Sequence, residues 1–352
     1  MEFNFQGKQI VGVLSVLPEH EYTFEEEALN PTDTKNRRLK KIIGFGKRRR
    51  VKGDTVLSDM LIEGLKYLIS SGKLNKDEIG AVVVSTLSQD YILPSISTII
   101  HGELDLNKDV FCIDTPQACA GYVMGMLQGF MLLDHMTDKK VILCTGEIFN
   151  RKSDENEPKF DNPSFGGDIA NITILQNSDS KEEIHANVFN DGKEREALLI
   201  RDGGFKNPMT PEKIKMQHTN IPFMGVEMDG SAVFNFVQKE VPIAIGTLLK
   251  KARVEINEID YFLFHQPNKF MLQKLSEQLG VECSKVPMNI TETLGNSDSG
   301  TIPAVMTNTV AEELLSRDLM CCFSGFGGGL TWASLVMKVE KLEFCENIVS
   351  KF

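Results

Sequence analysis

The sequence lacks the features that mark several common protein classes. Its seven cysteines include no C-x-x-C pair, and no Cys/His cluster has the spacing of a zinc site. No apolar run approaches the length of a membrane span, and the first residues show no basic stretch followed by an apolar one. The net charge of −11 argues against a nucleic-acid-binding protein. We therefore expect a cytoplasmic protein without metal or membrane anchor, whose cysteines stay reduced.

The 352 residues, 41% hydrophobic and 25% charged, have the composition of an ordinary globular protein with one large or two medium domains. One segment departs from the acidic average. Between Lys35 and Lys52 there are ten lysines and arginines and no acid, including Arg48, Arg49 and Arg50. This run is either a solvated loop and helix face or a docking surface for an anionic partner, such as a phosphopantetheine carrier or the phosphates of coenzyme A.

Segments typical of strands and of helices alternate along the chain in two similar passes. We predict strands at 9–17, 79–85, 110–114, 140–145, 171–176, 261–264, 320–324 and 331–339, and helices at 54–71, 95–104, 119–136, 230–251, 268–279 and 303–315. This alternation predicts an α/β fold with helix-covered sheets. We divide the chain into an N-terminal half, 1–177, and a C-terminal half, 178–352, in which the polar segment 178–225 is a connection with some structure of its own.

Cys119 lies where a short apolar strand and a polar turn lead into a long apolar helix. The unpaired N–H groups and partial positive charge of a helix N-terminus favour thiolate over thiol. The same N–H groups can hold a developing oxyanion. Cys119 is therefore a candidate nucleophile for acyl transfer.

Three further segments carry candidate site residues. His265 ends an apolar strand just before Pro267, at the kind of strand end where α/β sheets bind ligands, although a satisfied core histidine is the alternative. Asn296 lies in a small, polar loop whose simpler explanation is turn chemistry. The glycine-rich segment 325–330 joins two strands and is either a tight hairpin or a place where backbone approaches a ligand.

Taken together and in order, these segments closely resemble the β-ketoacyl-acyl-carrier-protein synthase III family of the thiolase superfamily. The matching segments are 118–121 (Ala-Cys-Ala-Gly), 265–268 (His-Gln-Pro-Asn), 294–297 (Leu-Gly-Asn-Ser), 325–332 (Gly-Phe-Gly-Gly-Gly-Leu-Thr-Trp), and also 165–168 and 228–230. The resemblance implies the thiolase fold, with two pseudo-repeated α/β halves in a five-layer α-β-α-β-α body that is normally a homodimer.

The resemblance also implies a reaction. Cys119 would take a primer acyl group as a thioester, and His265 and Asn296 would bind the carbonyl of malonyl-acyl carrier protein. The backbone N–H groups of Cys119 and Gly328 would form the oxyanion hole. Loss of carbon dioxide leaves an enolate that two hydrogen-bond donors stabilise, and its attack on the acyl-cysteine yields a 3-oxoacyl thioester. This is a decarboxylative Claisen condensation, as used in fatty acid or secondary-metabolite biosynthesis.

Substrate-binding residues follow from the same resemblance. Asn268 and Phe326 would contact substrate, and Leu93 would reach across a dimer interface to line the partner's tunnel. Arg48, Arg49 and Arg50 would dock the acyl carrier protein. We expect no cofactor and no metal, with acyl-coenzyme A or an acylated carrier as the acyl donor.

The sequence departs from the family in places that bear on the donor. The segment 38–44 (Arg-Leu-Lys-Lys-Ile-Ile-Gly) stands where a Trp and an Arg usually grip the nucleotide of coenzyme A, and Phe270 stands where an Arg often follows the His-Gln motif. Segment 297–300 (Ser-Asp-Ser-Gly) replaces a Ser/Ala-rich stretch. Delivery of the primer on a carrier protein is therefore an open alternative to coenzyme A.

Two alternative functions stay open at this point. A thiolase-fold acyltransferase could move the acyl group from Cys119 to an alcohol or an amine. The chain could instead be a non-catalytic partner subunit of a heterodimeric synthase.

Overall fold

Two β-sheets dominate the computed structural model of the chain, which describes residues 1–28, 30, 32–149, 166–213 and 226–352. Two parts of the sequence predictions lie outside the described residues: Phe165, the first residue of the matching segment 165–168, and residues 214–225 of the predicted connection. In chain order the strands are β1 (Glu2–Gln6), β2 (Lys8–Pro18), β3 (His20–Thr23), β4 (Lys47–Arg50), β5 (Ile79–Ser85), β6 (Phe111–Thr115), β7 (Lys140–Glu147), β8 (Ile169–Asn177), β9 (Glu183–Asn190), β10 (Leu198–Ile200), β11 (Val226–Met228), β12 (Tyr261–Phe264), β13 (Leu319–Gly327), β14 (Thr331–Val339) and β15 (Phe344–Ser350).

The helices fall into short connectors and longer packing elements. They are α1 (Phe24–Glu27), α2 (Thr34–Ile43), α3 (Leu57–Ser70), α4 (Ile96–Glu103), α5 (Gly121–Leu133), α6 (Gly230–Ala252), α7 (Lys269–Leu279), α8 (Ile290–Thr293), α9 (Thr301–Asn308) and α10 (Ala311–Ser316). No helix in the described ranges is both long enough and apolar enough to cross a membrane.

The first sheet has the strand order β15-β2-β8-β7-β5-β6. Strand β5, next to the edge of this sheet, is a run of Ala81 and three valines that is buried on both faces, which suits a strand covered by helices on each side. Strand β6, which leads to Cys119, pairs in parallel with β5 and forms one edge of this sheet. Cys119 therefore lies at the end of an edge strand.

The second sheet has the order β1-β9-β14-β13-β12, with β12 and β13 parallel. Its edge strand β12 carries His265 at its end. Strand β9 belongs to this sheet and falls in the segment that we interpreted as a connection with some structure of its own, so Glu183–Asn190 is part of that structure. The division of the chain at residue 177 stays a prediction. Each sheet includes one strand from the other part of the chain, since β1 belongs to the second sheet and β15 to the first.

Helices cover both sheets and separate them. Helices α3 and α4 share a hydrophobic core with the outer face of the first sheet, and α6 and α7 with the outer face of the second. Between the sheets, α5 and α9 pack against strands of both. These are the five layers of the thiolase fold, so the predicted architecture is confirmed.

Two helix predictions differ from the structure near the site. The helix predicted from residue 119 begins as a 3₁₀ turn, Ala118–Ala120, and becomes α-helical only at Gly121. The helix predicted at 303–315 is two helices, because the chain leaves helical geometry at Thr309 and Val310, both β-branched. The first of the two begins at Thr301, which brings its N-terminus into the site.

Candidate active site

The N-termini of the two middle-layer helices meet at Cys119. Cys119 lies one residue before the N-cap residue of α5, and the 3₁₀ turn Asp298–Gly300 leads directly into α9. The turn before Cys119 is sharp, since Ala118 has a φ of +43°, in the left-handed region that side chains rarely adopt. The Cys119 side chain then lies against Asp298 and Gly327, which come from the C-terminal half.

His265 comes from the edge of the second sheet and is almost fully buried. The turn after β12 is held by Gln266, whose side chain donates to the carbonyls of Phe264 and Pro287, both at 2.9 Å. The imidazole Nδ1 lies 2.9 Å from the hydroxyl of Thr301 at the start of α9. Burial lowers the pKa of His265 to about 3, so the ring is neutral at neutral pH.

Cys119 and His265 meet, and the third group beside them is Asp298. The Cys119 thiol donates to Oδ1 of Asp298 at 3.3 Å. The Cys119 sulfur, a ring nitrogen of His265 and a carboxylate oxygen of Asp298 all lie within 4.8 Å of one another. These atoms are also of the kinds that bind zinc, although the sequence has no zinc-spaced motif. The catalytic roles of Cys119 and His265 stay predictions.

Asn296 lies two residues before Asp298 and is fixed by it. Its side-chain oxygen accepts a hydrogen bond from the Asp298 backbone N–H at 3.0 Å. This contact settles the orientation of the amide, since only the oxygen can accept, and leaves Nδ2 as the donor end. The backbone of Asn296 also pairs with Gly166, and the Gly167 N–H donates to its carbonyl at 3.0 Å.

The environment of Cys119 contradicts the expectation of a resting thiolate. Burial and the adjacent Asp298 carboxylate raise the pKa of the Cys119 thiol well above its ordinary value of 9.0. The helix N-terminus favours the anion, but within its first turn a helix dipole contributes only a few tenths to about 1 kcal/mol. Desolvation and repulsion by the Asp298 carboxylate therefore outweigh the helix dipole, and the resting form of Cys119 is the thiol.

A second buried carboxyl, Glu147 at the end of β7, lies behind the site. It accepts hydrogen bonds from the Thr86 and Ser88 hydroxyls and the Leu87 N–H, at 2.7 to 3.1 Å. Burial and the charge of Asp298 raise the pKa of Glu147, and burial raises that of Asp298. The two carboxyls thus disfavour each other's ionisation, which keeps a proton close to Cys119.

The glycine-rich end of β13 packs against the Cys119 side chain. A Cβ on Gly327 would lie 2.8 Å from Cys119 Sγ, so this position has room for hydrogen only. Phe326 is buried and stands edge-on to the His265 ring, with centroids 5.7 Å apart. Gly328, for which we predicted an oxyanion-hole N–H, follows directly, and that role stays a prediction.

In the two-stranded sheet β3–β4, the buried arginines Arg48 and Arg50 face the protein interior, where Arg48 supports the Asn296 loop. Arg48 and Arg50 are buried and both pair with Glu27, at 2.6 and 2.5 Å. Arg48 also donates to the Gly166 carbonyl at 2.7 Å, and Gly166 pairs with Asn296. The prediction that Arg48 and Arg50 dock a carrier is therefore wrong, because a buried, paired guanidinium offers no surface charge.

The remaining predicted residues have separate positions. Arg49 is partly exposed and donates to the Pro18 carbonyl at 2.7 Å. Asn268 caps α7 by accepting from the Met271 N–H at 2.8 Å. Leu93 is 85% exposed. Substrate contacts of Asn268, Phe326 and Leu93 stay predictions.

Asp298 is the site residue that sequence reasoning missed. The signal was present, because an acid in the otherwise small loop 297–300 was recognised as a departure from the family. What the sequence could not give is the direction of its side chain. Asp298 has a φ of +43°, and this left-handed turn places the carboxylate beside the thiol.

Comparisons with known proteins show which enzymes the chain is similar to. Residues 249–339 match the family model for the C-terminal part of 3-oxoacyl-[acyl-carrier-protein] synthase III. The chain is 28% identical to the β-ketoacyl-[acyl-carrier-protein] synthase III of Lactobacillus helveticus, over 95% of this chain and 99% of the relative. It is 26% identical to a putative 3-oxoacyl-[acyl-carrier-protein] synthase 3 of Campylobacter jejuni, over 99% and 98%.

A solved structure extends the likeness to the fold. The 3-oxoacyl-(acyl-carrier-protein) synthase of Burkholderia xenovorans superposes with a TM-score of 0.87 over 99% of both chains, at 27% identity. The similarity thus covers the edges of both sheets, from which Cys119 and His265 approach each other. The chain is thus an enzyme that is similar, over nearly its whole length, to the β-ketoacyl-acyl-carrier-protein synthase III family, and these findings support a divergent member of it.

Proposed function

We propose that this enzyme condenses an acyl primer, held as a thioester on Cys119, with malonyl-acyl carrier protein to give a 3-oxoacyl thioester and carbon dioxide. The observation that carries the proposal is the approach of Cys119 and His265, from edge strands of different sheets, to within 4.8 Å. A nucleophile and a neutral donor at this separation suit a thioester whose carbonyl oxygen must be stabilised while its neighbouring carbon attacks.

Two donors serve the enolate in this proposal. Thr301 has one hydroxyl proton and lies 2.9 Å from both His265 Nδ1 and the Asp298 carbonyl. In the resting structure Thr301 donates to the Asp298 carbonyl, which can only accept. In this proposal the hydroxyl turns to donate to Nδ1 when malonyl carrier binds, which places the His265 proton on Nε2, where it can donate to the malonyl carbonyl oxygen. Asn296 Nδ2 supplies the second hydrogen bond. Both groups are neutral, which suits stabilisation of charge that appears only in the transition state.

The carrier would dock on helix α2 rather than on the two-stranded sheet β3–β4. Lys35, Arg37, Arg38 and Lys41 are exposed on this helix, in a protein whose net charge is −11. Helix α2 packs against α7, which begins just after the His265 segment, so a carrier bound there would stand beside the site. An acidic carrier bearing phosphopantetheine is complementary to this surface. The proposal includes no cofactor.

A homodimer is part of the proposal. Tyr91, Ile92 and Leu93 form an exposed apolar run, at 62%, 85% and 85% exposure, and Phe111 on edge strand β6 is 47% exposed. Consecutive exposed apolar side chains next to a free strand edge are typical of an interface between protein chains. Leu93 would then contact the partner's site, as the family resemblance implies.

Leu93→Asp should convert a dimer into a monomer, because it places a charge in a desolvated interface. The measurement is molar mass by light scattering during gel filtration. The matched control is Val349→Asp, since Val349 is 56% exposed on β15 at the opposite edge of the same sheet. A wild-type monomer, or a Leu93→Asp protein that remains dimeric, would contradict this interface.

The reaction itself is tested by intact mass. Incubation with acyl-coenzyme A and acyl-carrier donors of graded chain length should add one acyl mass to the wild-type protein and none to Cys119→Ala. Addition of malonyl carrier should then discharge the adduct and release one carbon dioxide per 3-oxoacyl product. Absence of an adduct across the whole panel would refute the proposal.

Asp298 favours one alternative function, the transfer of the acyl group from Cys119 to an alcohol or an amine. An ionised carboxylate beside Cys119 would repel a growing enolate but would assist deprotonation of an acceptor alcohol or amine. If acyl-Cys119 forms and no carbon dioxide is released from malonyl carrier, transfer to oxygen or nitrogen replaces condensation as the function.

A further inference from the structure

The structure poses a chemical problem that the His265 and Asn296 roles do not solve. Cys119 must attack as a thiolate, but burial and Asp298 raise the pKa of its thiol. The proton therefore has to leave during the attack, and a base must be within hydrogen-bond reach of the sulfur. Buried His265 has a pKa lowered to about 3, which makes it a poor proton acceptor.

Asp298 meets the geometric requirement. Its Oδ1 already accepts the hydrogen bond from the Cys119 thiol at 3.3 Å. The backbone on either side is fixed, since the Asp298 N–H is bound by Asn296 and its carbonyl accepts from Thr301. We propose that Asp298 is the general base for acylation of Cys119 and keeps the thiol proton until the sulfur is released again. This inference rests on the proposed formation of acyl-Cys119.

The proton balance closes over the whole cycle. In acylation the Cys119 sulfur bonds to the donor's thioester carbon, the thiol proton moves to Asp298, and the donor's carbon–sulfur bond breaks. The departing thiolate takes a proton from water. In condensation the malonyl group loses carbon dioxide, the enolate carbon bonds to the acyl carbon, and the Cys119 sulfur leaves. That sulfur recovers its proton from Asp298, which is ionised again.

This cycle also removes the conflict between a carboxylate and an enolate. After acylation Asp298 is protonated, so the enolate develops beside a neutral acid instead of an anion. Glu147 supports that state, because the two carboxyls disfavour each other's ionisation. The carboxylate is thus charged in the half-reaction that needs a base and neutral in the one that builds negative charge.

The test is the acylation rate of Asp298→Asn as a function of pH, followed by intact mass in the presence of a chelator that removes stray metal. Asparagine keeps the shape and tolerates the left-handed φ of +43°. Wild-type acylation should rise with pH as Asp298 ionises, above the usual range for aspartate, and then level off. The variant should be about 100-fold slower at neutral pH and lack this plateau. The matched control is Asp105→Asn, at an exposed aspartate with a φ of +50°.

Alkylation of Cys119 by iodoacetamide at pH 9.5 separates a base from a merely structural residue. Alkylation at this pH uses preformed thiolate, which Asp298 opposes by its charge. Asp298→Asn should therefore be alkylated several-fold faster than wild type while being acylated more slowly. Loss of both reactions would mean that Asp298 only positions the sulfur, and would overturn the proposal.

The outcomes distinguish this inference from the proposed function. If wild-type protein is never acylated, the proposed function fails. If wild type is acylated and Asp298→Asn matches it in rate and pH profile, only the role of Asp298 fails. Slower acylation with a lost plateau and faster alkylation supports both.

Discussion

His265→Ala should lower carbon dioxide release from malonyl carrier by about a thousandfold while acylation of Cys119 stays within about tenfold of wild type. His265 is proposed to act on the enolate, and removal of one donor from such a site costs about 10²–10³ in rate. Because the ring is neutral and buried, it contributes a hydrogen bond and not a charge that draws the substrate in. The measurement compares single-turnover acylation with carbon dioxide release from pre-acylated enzyme.

Two further variants sharpen that experiment. Asn296→Ala should show the same split, since Asn296 Nδ2 is the second donor in the proposal. The exposed His135 provides the control, because His135→Ala should change neither half-reaction. Equal loss of acylation and decarboxylation in His265→Ala would contradict the assignment and place His265 in the acylation step.

The α/β class could be predicted from the sequence because its strands have a clear pattern, whereas the five-layer arrangement was implied only by the family resemblance. The predicted strands at 79–85, 261–264 and 331–339 agree with β5, β12 and β14 residue for residue. Strands β1 and β15 were not predicted, and each joins a sheet built largely from the other part of the chain. Nothing local in a sequence reports such pairing, because it depends on contacts between residues more than 150 positions apart.

The site could be predicted as a set of residue types but not as a geometry. The resemblance selected Cys119 and His265, and the structure brings them together. The run of arginines was interpreted as a docking surface because charge runs are usually exposed to solvent. In the structure Arg48 and Arg50 are buried, and both form ion pairs with Glu27. The expectation that Cys119 is a thiolate failed for a similar reason. The sequence shows that Cys119 precedes a helix, but it does not show that the Asp298 carboxylate is buried beside it.

Gly327→Ala should reduce both acylation and condensation by more than about a hundredfold. Its Cβ would lie 2.7 Å from the Cβ and 2.8 Å from the Sγ of Cys119, so the nucleophile must move by a large fraction of an ångström. Misplacement of about 1 Å in a reacting group can cost 10²-fold. We expect the fold to survive, at about 1–3 kcal/mol of overpacking, which thermal unfolding would measure.

Gly328→Ala is the matched control for that prediction. Gly328 lies in the turn directly after β13, where, among the described residues, a Cβ would meet nothing nearer than the Leu198 carbonyl oxygen at 3.8 Å. Neither glycine has a left-handed φ, so the two variants differ in where the methyl group points and not in backbone strain. The Gly328 N–H remains in the variant, and with it the proposed oxyanion hole. Equal activity of the two variants would mean that Cys119 does not react from the position in which Gly327 contacts it.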